Sequence, residues 1–215
     1  LTAQALIDCG GDFTSEAVVA AWEKYILGQK DFHRGGSSEI EAVVNLRRGL
    51  KPPYTGMYNA YNHSDGAAMR VAPIGIVCAG NVEKAAHFAQ IDAELSHFQD
   101  GIWGAQAVAV GVATAMAGGS IDDVITAAKS VIPKDSWFHY TFTKAMDIID
   151  RDETLEDCWT PLHTELWTTY KAAVPEAVSQ AFALFRLSEG DFRRGVIYSG
   201  NFGRDADTIG AIVGS

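Results

Sequence analysis

Asp205 and Asp207 stand two residues apart near the end of the chain, with Thr208 directly behind them and Gly200 and Gly203 in front. Carboxylates and hydroxyls are hard oxygen donors. A magnesium ion takes such donors in near-octahedral geometry and keeps several of its waters. An Asp-x-Asp-Thr at a helix start would present those oxygens from a fixed backbone, and the glycines would let a ligand come close to the main chain. The same residues also suit a helix that binds nothing, with Asp205 as its cap and Asp207 favouring the positive end of its dipole.

The surroundings carry more information than the spacing. Gly203-Arg204-Asp205-Ala206-Asp207-Thr208-Ile209-Gly210-Ala211-Ile212 resembles the C-terminal metal motif of the ADP-ribosylglycohydrolase family. That family includes enzymes that remove ADP-ribose from arginine or serine, the dinitrogenase reductase-activating glycohydrolases and crystallin-type relatives. Ser64-Asp65-Gly66-Ala67-Ala68-Met69-Arg70-Val71-Ala72-Pro73 resembles the family's Asn-Gly-(Ala/Ser)-x-Met-Arg-x-x-Pro motif. Leu95-Ser96-His97 falls where relatives carry a Thr-His or Ser-His pair, and Asp191-Phe192 before the last motif is typical as well. Order and spacing agree over essentially the whole chain.

The resemblance implies a magnesium-dependent hydrolase of ribosyl glycosidic bonds. Asp205, Asp207 and Thr208 would bind magnesium, usually as a pair of ions. Ser64, Asp65, Gly66 and Met69 would line the pocket for the distal ribose and diphosphate, with His97 approaching it. Gly203 and Arg204 would belong to a Gly200-to-Gly203 turn offering N–H groups to phosphate oxygens. The substrate would be an ADP-ribosylated protein or a small ribosyl compound. Each residue also has an ordinary role: Met69 as core filler, Arg70 as the partner of a buried acid, and Tyr54, Tyr58 and Tyr61 as a loop folded onto the core rather than a stack for adenine. His33, His63, His87, His139 and His163 receive no role. The alternative at the level of the whole molecule is a non-catalytic relative that binds ADP-ribose or is purely structural.

The chain departs from the family pattern at two places. Relatives carry a Thr/Ser-Asp-Asp-Thr motif, with half of the metal ligands, just before a helix that resembles Leu1 to Cys9. An acid important for catalysis lies in that region of many members too. The catalytic acid is therefore expected ahead of Leu1, and Asp207 is the best visible candidate. Asp65, in turn, stands where Asn is commoner. A carboxylate there would repel a diphosphate and would accept hydrogen bonds from a ribose diol.

These segments need elements to hold them, and helical period dominates. Val18, Val19, Trp22, Tyr25 and Ile26 form an apolar stripe over Glu16 to Leu27, with Ser15 as a cap and Gly28 as a stop. Asn81 can cap a helix through Leu95, and Ser120 with Asp122 and Asp123 precedes another that Pro133 ends. Phe138 to Ile149 and Pro175 to Leu187 read as two more, Pro175 suiting a first turn. Gly101 to Gly119 carries no charge and reads as a buried bundle helix rather than a membrane span. No alternating run suggests a strand. The longest irregular stretch is Gly49 to Ser64. The fold class is all-α: a single orthogonally packed domain over residues 1–215, with roughly eight to ten helices. Leu1 to Ile7 reads as a helix already under way and Ala211 to Ser215 stops in an apolar run, so both ends read as cut.

Composition is consistent with that. With 215 residues, 47% of them hydrophobic, the chain can bury a core. A net charge of −10 gives no basic face for nucleic acid. Cys9, Cys78 and Cys158 are scattered, which argues for a reducing, cytoplasmic setting without disulfides or zinc. A monomer away from membranes is expected.

Overall fold

The computed structural model describes residues 1–29, 32, 35–152 and 154–215; His33 lies outside them. Among the described residues there are thirteen α-helices and no strand. The order is α1 (Thr2–Asp8), α2 (Ser15–Trp22), α3 (Ser37–Arg47), α4 (Tyr54–Met57), α5 (Ala72–Val77), α6 (Val82–Ala93) and α7 (Asp100–Met116). Then follow α8 (Ile121–Ser130), α9 (Trp137–Asp152), α10 (Leu155–Glu165), α11 (Val174–Leu187), α12 (Phe192–Phe202) and α13 (Ala206–Val213). A π-helical turn, Glu23–Leu27, continues α2, and a 3-10 turn, Ala68–Arg70, precedes α5. The number exceeds the expected eight to ten because α1, α4 and α5 are seven residues or fewer. Such pieces are too short to show a full hydrophobic period.

Local chemistry sets most of the boundaries. Thr14, not Ser15, caps α2, its hydroxyl accepting from Ala17 N. Asn81 caps α6, and Ser120 with Asp123 makes a reciprocal capping box on α8. Pro175 lies in the first turn of α11, where its missing N–H costs nothing. Asp191 caps α12 by accepting from Arg194 N at 2.6 Å.

Helix α7, without a charged residue after Asp100, runs through the centre and packs on α5, α6, α8, α9 and α11. Ten of its seventeen residues are buried, most of them Gly, Ala and Val. Small side chains let five neighbours approach one axis closely, which explains a run that is free of charge yet only borderline in hydrophobicity. No helix among the described residues is long and apolar enough to cross a membrane. The second internal helix is α11, buried along Val174 to Leu184, and it packs on α9, α12 and α13. The N-terminal ends of α3, α11 and α13 and the 3-10 turn surround the segments singled out for chemistry.

Candidate functional site

The Ser64–Asp65 segment is pinned by main-chain bonds rather than by a helix. Asp65 N donates to Ala172 O at 2.8 Å and Val174 N donates to His63 O at 3.0 Å, a single antiparallel bridge between Ser64 and Ala173. That bridge sets the 3-10 turn beside the stretch leading into α11. The turn also packs on α13, where Thr208 Oγ1 reaches Met69 Sδ at 3.8 Å. The first and last motifs thus meet across 139 positions of chain. Met69 is 43% exposed, so it is not core filler; it borders the site.

Behind Ser64 lies a closed polar ring. Arg70 Nη2 donates to Ser96 Oγ at 3.0 Å, and Ser96 Oγ is 2.8 Å from His97 Nδ1. His97 Nε2 is 2.9 Å from Ser64 Oγ, Ser64 Oγ donates to Ser38 Oγ at 3.0 Å, and Ser38 Oγ donates to Glu39 Oε2 at 3.0 Å. Arg70 Nη1 closes the ring on Glu39 Oε1 at 2.8 Å. Arginine only donates and a carboxylate only accepts, so each hydroxyl proton has one available direction. Ser38 gives its proton to Glu39, Ser64 gives its own to Ser38, and Ser64 must then accept from His97 Nε2–H. Nδ1 accepts from Ser96. The network therefore fixes the Nε2–H tautomer. Burial, with the nearby Arg70 charge and His63, holds the imidazole well below its usual range, consistent with a neutral ring. His97 is fully buried, so it supports Ser64 from behind instead of facing a ligand. Arg70 takes the ordinary role considered for it: it also donates to Asp92 Oδ2 at 2.7 Å and Asp92 O at 3.0 Å.

The last motif departs from expectation in one detail. Gly200 lies inside α12, and the turn is made by Gly203 (φ 86°) and Arg204 (φ 54°). Gly203 is the type that adopts such a conformation without strain. Arg204, which does not, is held by its side chain. Its guanidinium donates to Glu176 Oε2 at 2.9 Å, to Glu176 Oε1, and to Thr168 O at 2.8 Å. Glu176 is fully buried in the first turn of α11, where the helix dipole favours a carboxylate. Arg204 thereby locks the entry to α13, and its carbonyl oxygen accepts from Lys171 Nζ at 3.1 Å.

Asp205 stands at the N-cap of α13 without using its side chain as a cap. Its carboxylate is instead 3.0 Å from Lys171 Nζ, through Oδ1. The Asp65 carboxyl lies against it. Burial, followed by the Asp205 charge, pushes Asp65 well above the usual carboxylate range. Burial also acts to raise Asp205, but bonds from Asp65, Thr208 and Lys171 win and hold it below that range. Asp65 is 3% exposed, and its Oδ2 has no hydrogen-bond partner among the described residues. Asp207 is exposed on the first turn of α13, and Thr208 is buried beside Asp205. Tyr170, edge-on to His63, has its phenol raised by burial and by Asp65, Asp205 and Glu39 together.

The structure therefore brings Ser64, Asp65, Met69, Gly203, Arg204, Asp205, Asp207 and Thr208 to one place, with Gly66 packed over Glu39 and His97 one layer behind. Lys171, Glu176, Ser38, Glu39 and Tyr170 also belong here, and sequence reasoning missed them. Glu176 had one visible signal, a lone acid in the apolar run Ala172 to Val178. His163, which sequence spacing tied to nothing, has its ring 2.8 Å from Phe202 O just before the turn. Tyr54 and Tyr58 stack on each other in the open, apart from Tyr61, which meets Tyr170.

A divalent cation would find hard oxygens from Asp65, Asp205, Asp207 and Thr208, and the partnerless Asp65 Oδ2 fits such a donor set. Among the described residues no three carboxylate, imidazole or thiol side chains already converge on one point, so waters or further ligands would complete the shell. In comparison with known proteins, the chain is 32% identical over 184 residues to an uncharacterized protein of Archaeoglobus fulgidus, an alignment covering 85% of this chain and 56% of that one. The sequence model of ADP-ribosylglycohydrolase matches residues 1–215, and the chain belongs to the ADP-ribosylglycohydrolase family.

Proposed function

We propose that the protein containing this chain hydrolyses a ribosyl glycosidic bond with the help of magnesium, releasing ADP-ribose from a modified side chain or a small molecule. The observation that carries this reading is the buried Asp65–Asp205 carboxyl pair, held between two pinned turns of a chain in this family. Bond cleavage at an anomeric carbon builds oxocarbenium-like charge and needs a positioned water. Bound magnesium would anchor ribose hydroxyls and orient that water. The Ser64–Asp65 segment would hold the ribose, its backbone tied to Ala172 and its hydroxyl fixed by the ring through His97. Asp207, exposed at the start of α13, is the visible carboxylate free to receive a proton from water. The Gly203–Arg204 turn would offer main-chain N–H groups to phosphate oxygens, while the Arg204 side chain stays on Glu176.

One observation favours a second reading, a non-catalytic ADP-ribose binder. Lys171 already gives Asp205 a positive partner, so the fold does not depend on a metal at that carboxylate. The two readings separate in the natural full-length protein. Magnesium chloride with ADP-ribose at a hundred times Kd should stabilise it by about 2.7 kcal/mol, a midpoint rise of roughly 5–11 °C at this size. Hydrolysis of ADP-ribosylated arginine and serine peptides should follow, and Asp207→Ala should abolish it along with the magnesium effect. Stabilisation without turnover selects the binder. Turnover that survives Asp207→Ala sinks the assignment of that residue.

A further inference from the structure

Two buried carboxyl groups in contact are compensated either by a shared proton or by positive charge placed beside them. Lys171 supplies it to one side only: its Nζ meets Asp205 Oδ1 at 3.0 Å and is also within 3.1 Å of Arg204 O. Beyond the Asp205 carboxyl against which Asp65 lies, the Asp65 oxygen Oδ2 has no hydrogen-bond partner among the described residues, although it is buried and its backbone is tied down at Ala172. A buried carboxyl oxygen without a partner calls for an explanation. The guanidinium groups that line the same region cannot reach it, since Arg70 is engaged by Asp92 and Glu39, and Arg204 by Glu176. The hydroxyl of Thr208 lies beside Asp205, adding a third hard oxygen.

We infer that Asp65 is a ligand of a divalent cation shared with Asp205, and that Lys171 is a tethered counter-ion which the cation displaces. This rests on the magnesium reading above and deepens it, because Asp65 moves from holding ribose to holding the cation itself. The anatomy suits an exchange. Lys171 is 53% exposed on a stretch outside any helix, so its ammonium can swing into solvent, while both carboxylates stay pinned by main-chain bonds. In the absence of the ion, the ammonium keeps Asp205 compensated. When the ion is present, the released Lys171 leaves Asp205 Oδ1 open, and Asp65 Oδ2 gains its missing partner.

The test uses manganese as the probe, counted by the electron paramagnetic resonance of the free ion, on the natural full-length protein without ADP-ribose. With no sugar nucleotide in the solution, a role of Asp65 in holding ribose cannot produce the effect. Asp65→Asn should weaken manganese binding tenfold or more, and Lys171→Met should tighten it severalfold by removing the competitor. Metal-free Asp65→Asn should unfold no earlier than the parent at pH 7, because the substitution relieves a buried carboxyl pair; that control separates a missing ligand from a damaged fold. Equal affinity of the parent and Asp65→Asn overturns the role of Asp65, and equal or weaker affinity of Lys171→Met overturns the displacement. A parent that binds no manganese removes the cation reading altogether and this inference with it.

Discussion

Arg204→Met should destabilise the fold severely for a residue so near the surface, and the reason is Glu176. That carboxylate is fully buried and accepts from Thr168 N at 2.7 Å, from Thr168 Oγ1 at 2.8 Å and from two Arg204 nitrogens. Losing Arg204 leaves the Thr168 bonds but removes the only guanidinium or ammonium bonded to Glu176 among the described residues. Breaking one side of a buried ion pair costs about 3–5 kcal/mol. Because the Arg204 side chain is 25% exposed, water can partly replace it, which puts the figure near the lower end, about 3 kcal/mol. For a domain of this size that is roughly a 6–12 °C drop in midpoint. Glu176→Gln should cost less, about 1–2 kcal/mol, since the amide keeps a hydrogen bond and the arginine left behind can turn to solvent. The Arg204→Met/Glu176→Gln double variant should then resemble Glu176→Gln alone, giving a coupling of about 3 kcal/mol in a double-mutant cycle. Urea unfolding of metal-free protein, followed by circular dichroism, reads all four corners. If Arg204→Met costs under about 1 kcal/mol, as exposed pairs do, or if the two costs simply add, Arg204 is not the lock on the α13 entry and a direct ligand role regains its place.

Three further outcomes follow from the same geometry. Asp65 is held above its ordinary range, so the folded, metal-free protein keeps a proton that the unfolded chain releases; stability from this group therefore falls as pH rises above about 4, by at most about 1.4 kcal/mol per unit. Asp205 is depressed and works oppositely, its contribution being lost as pH falls through its folded pKa. The stability of the parent minus that of Asp65→Asn should thus slope downward between pH 4 and 7, and parallel curves would contradict the carboxyl pair. Ser38→Ala leaves the Ser64 hydroxyl without its acceptor inside the ring and should cost about 1–3 kcal/mol by chemical denaturation; a neutral result would mean that water substitutes freely there. In Gly56→Ala, the new Cβ would lie against backbone atoms of His97 and Glu94, which cannot swing aside as side chains do, so a loss of about 1–3 kcal/mol is expected. An unchanged midpoint would show that α4 shifts without strain.

What could be read from the sequence was mostly what neighbours along the chain decide. Asn81, Ser120 and Pro175 act within one turn of their own position, and each stands where local chemistry places it. The same applies to the charge-free run that became α7. The Glu16-to-Leu27 stripe is a true apolar face, but its second half winds as a π-turn, a change in hydrogen-bond register that side-chain spacing does not report. Gly200 reads as part of a loop because glycine marks turns, yet α12 runs through it to Phe202. Its cost in a helix, about 1 kcal/mol, is small beside the packing of that helix on α11 and α13.

The candidate site was legible as motifs and illegible as a network, and its charges show why. Four acids there have cationic partners far away in sequence: Asp92 and Glu39 with Arg70, Glu176 with Arg204, Asp205 with Lys171. No periodicity links residues 28 or 34 positions apart, so composition showed an acidic chain but not where its cations had gone. Once those pairs are drawn, the two arginines inside the motifs are bound to other acids, and the Lys171 ammonium at the carboxyl pair reaches a single oxygen of Asp205. The excess negative charge of the chain, which from composition alone meant little beyond solubility, thus has a local counterpart: a partnerless oxygen of Asp65, with Asp207 exposed nearby. That local imbalance, rather than the Asp-x-Asp spacing itself, is the physical argument on which the proposed cation site rests.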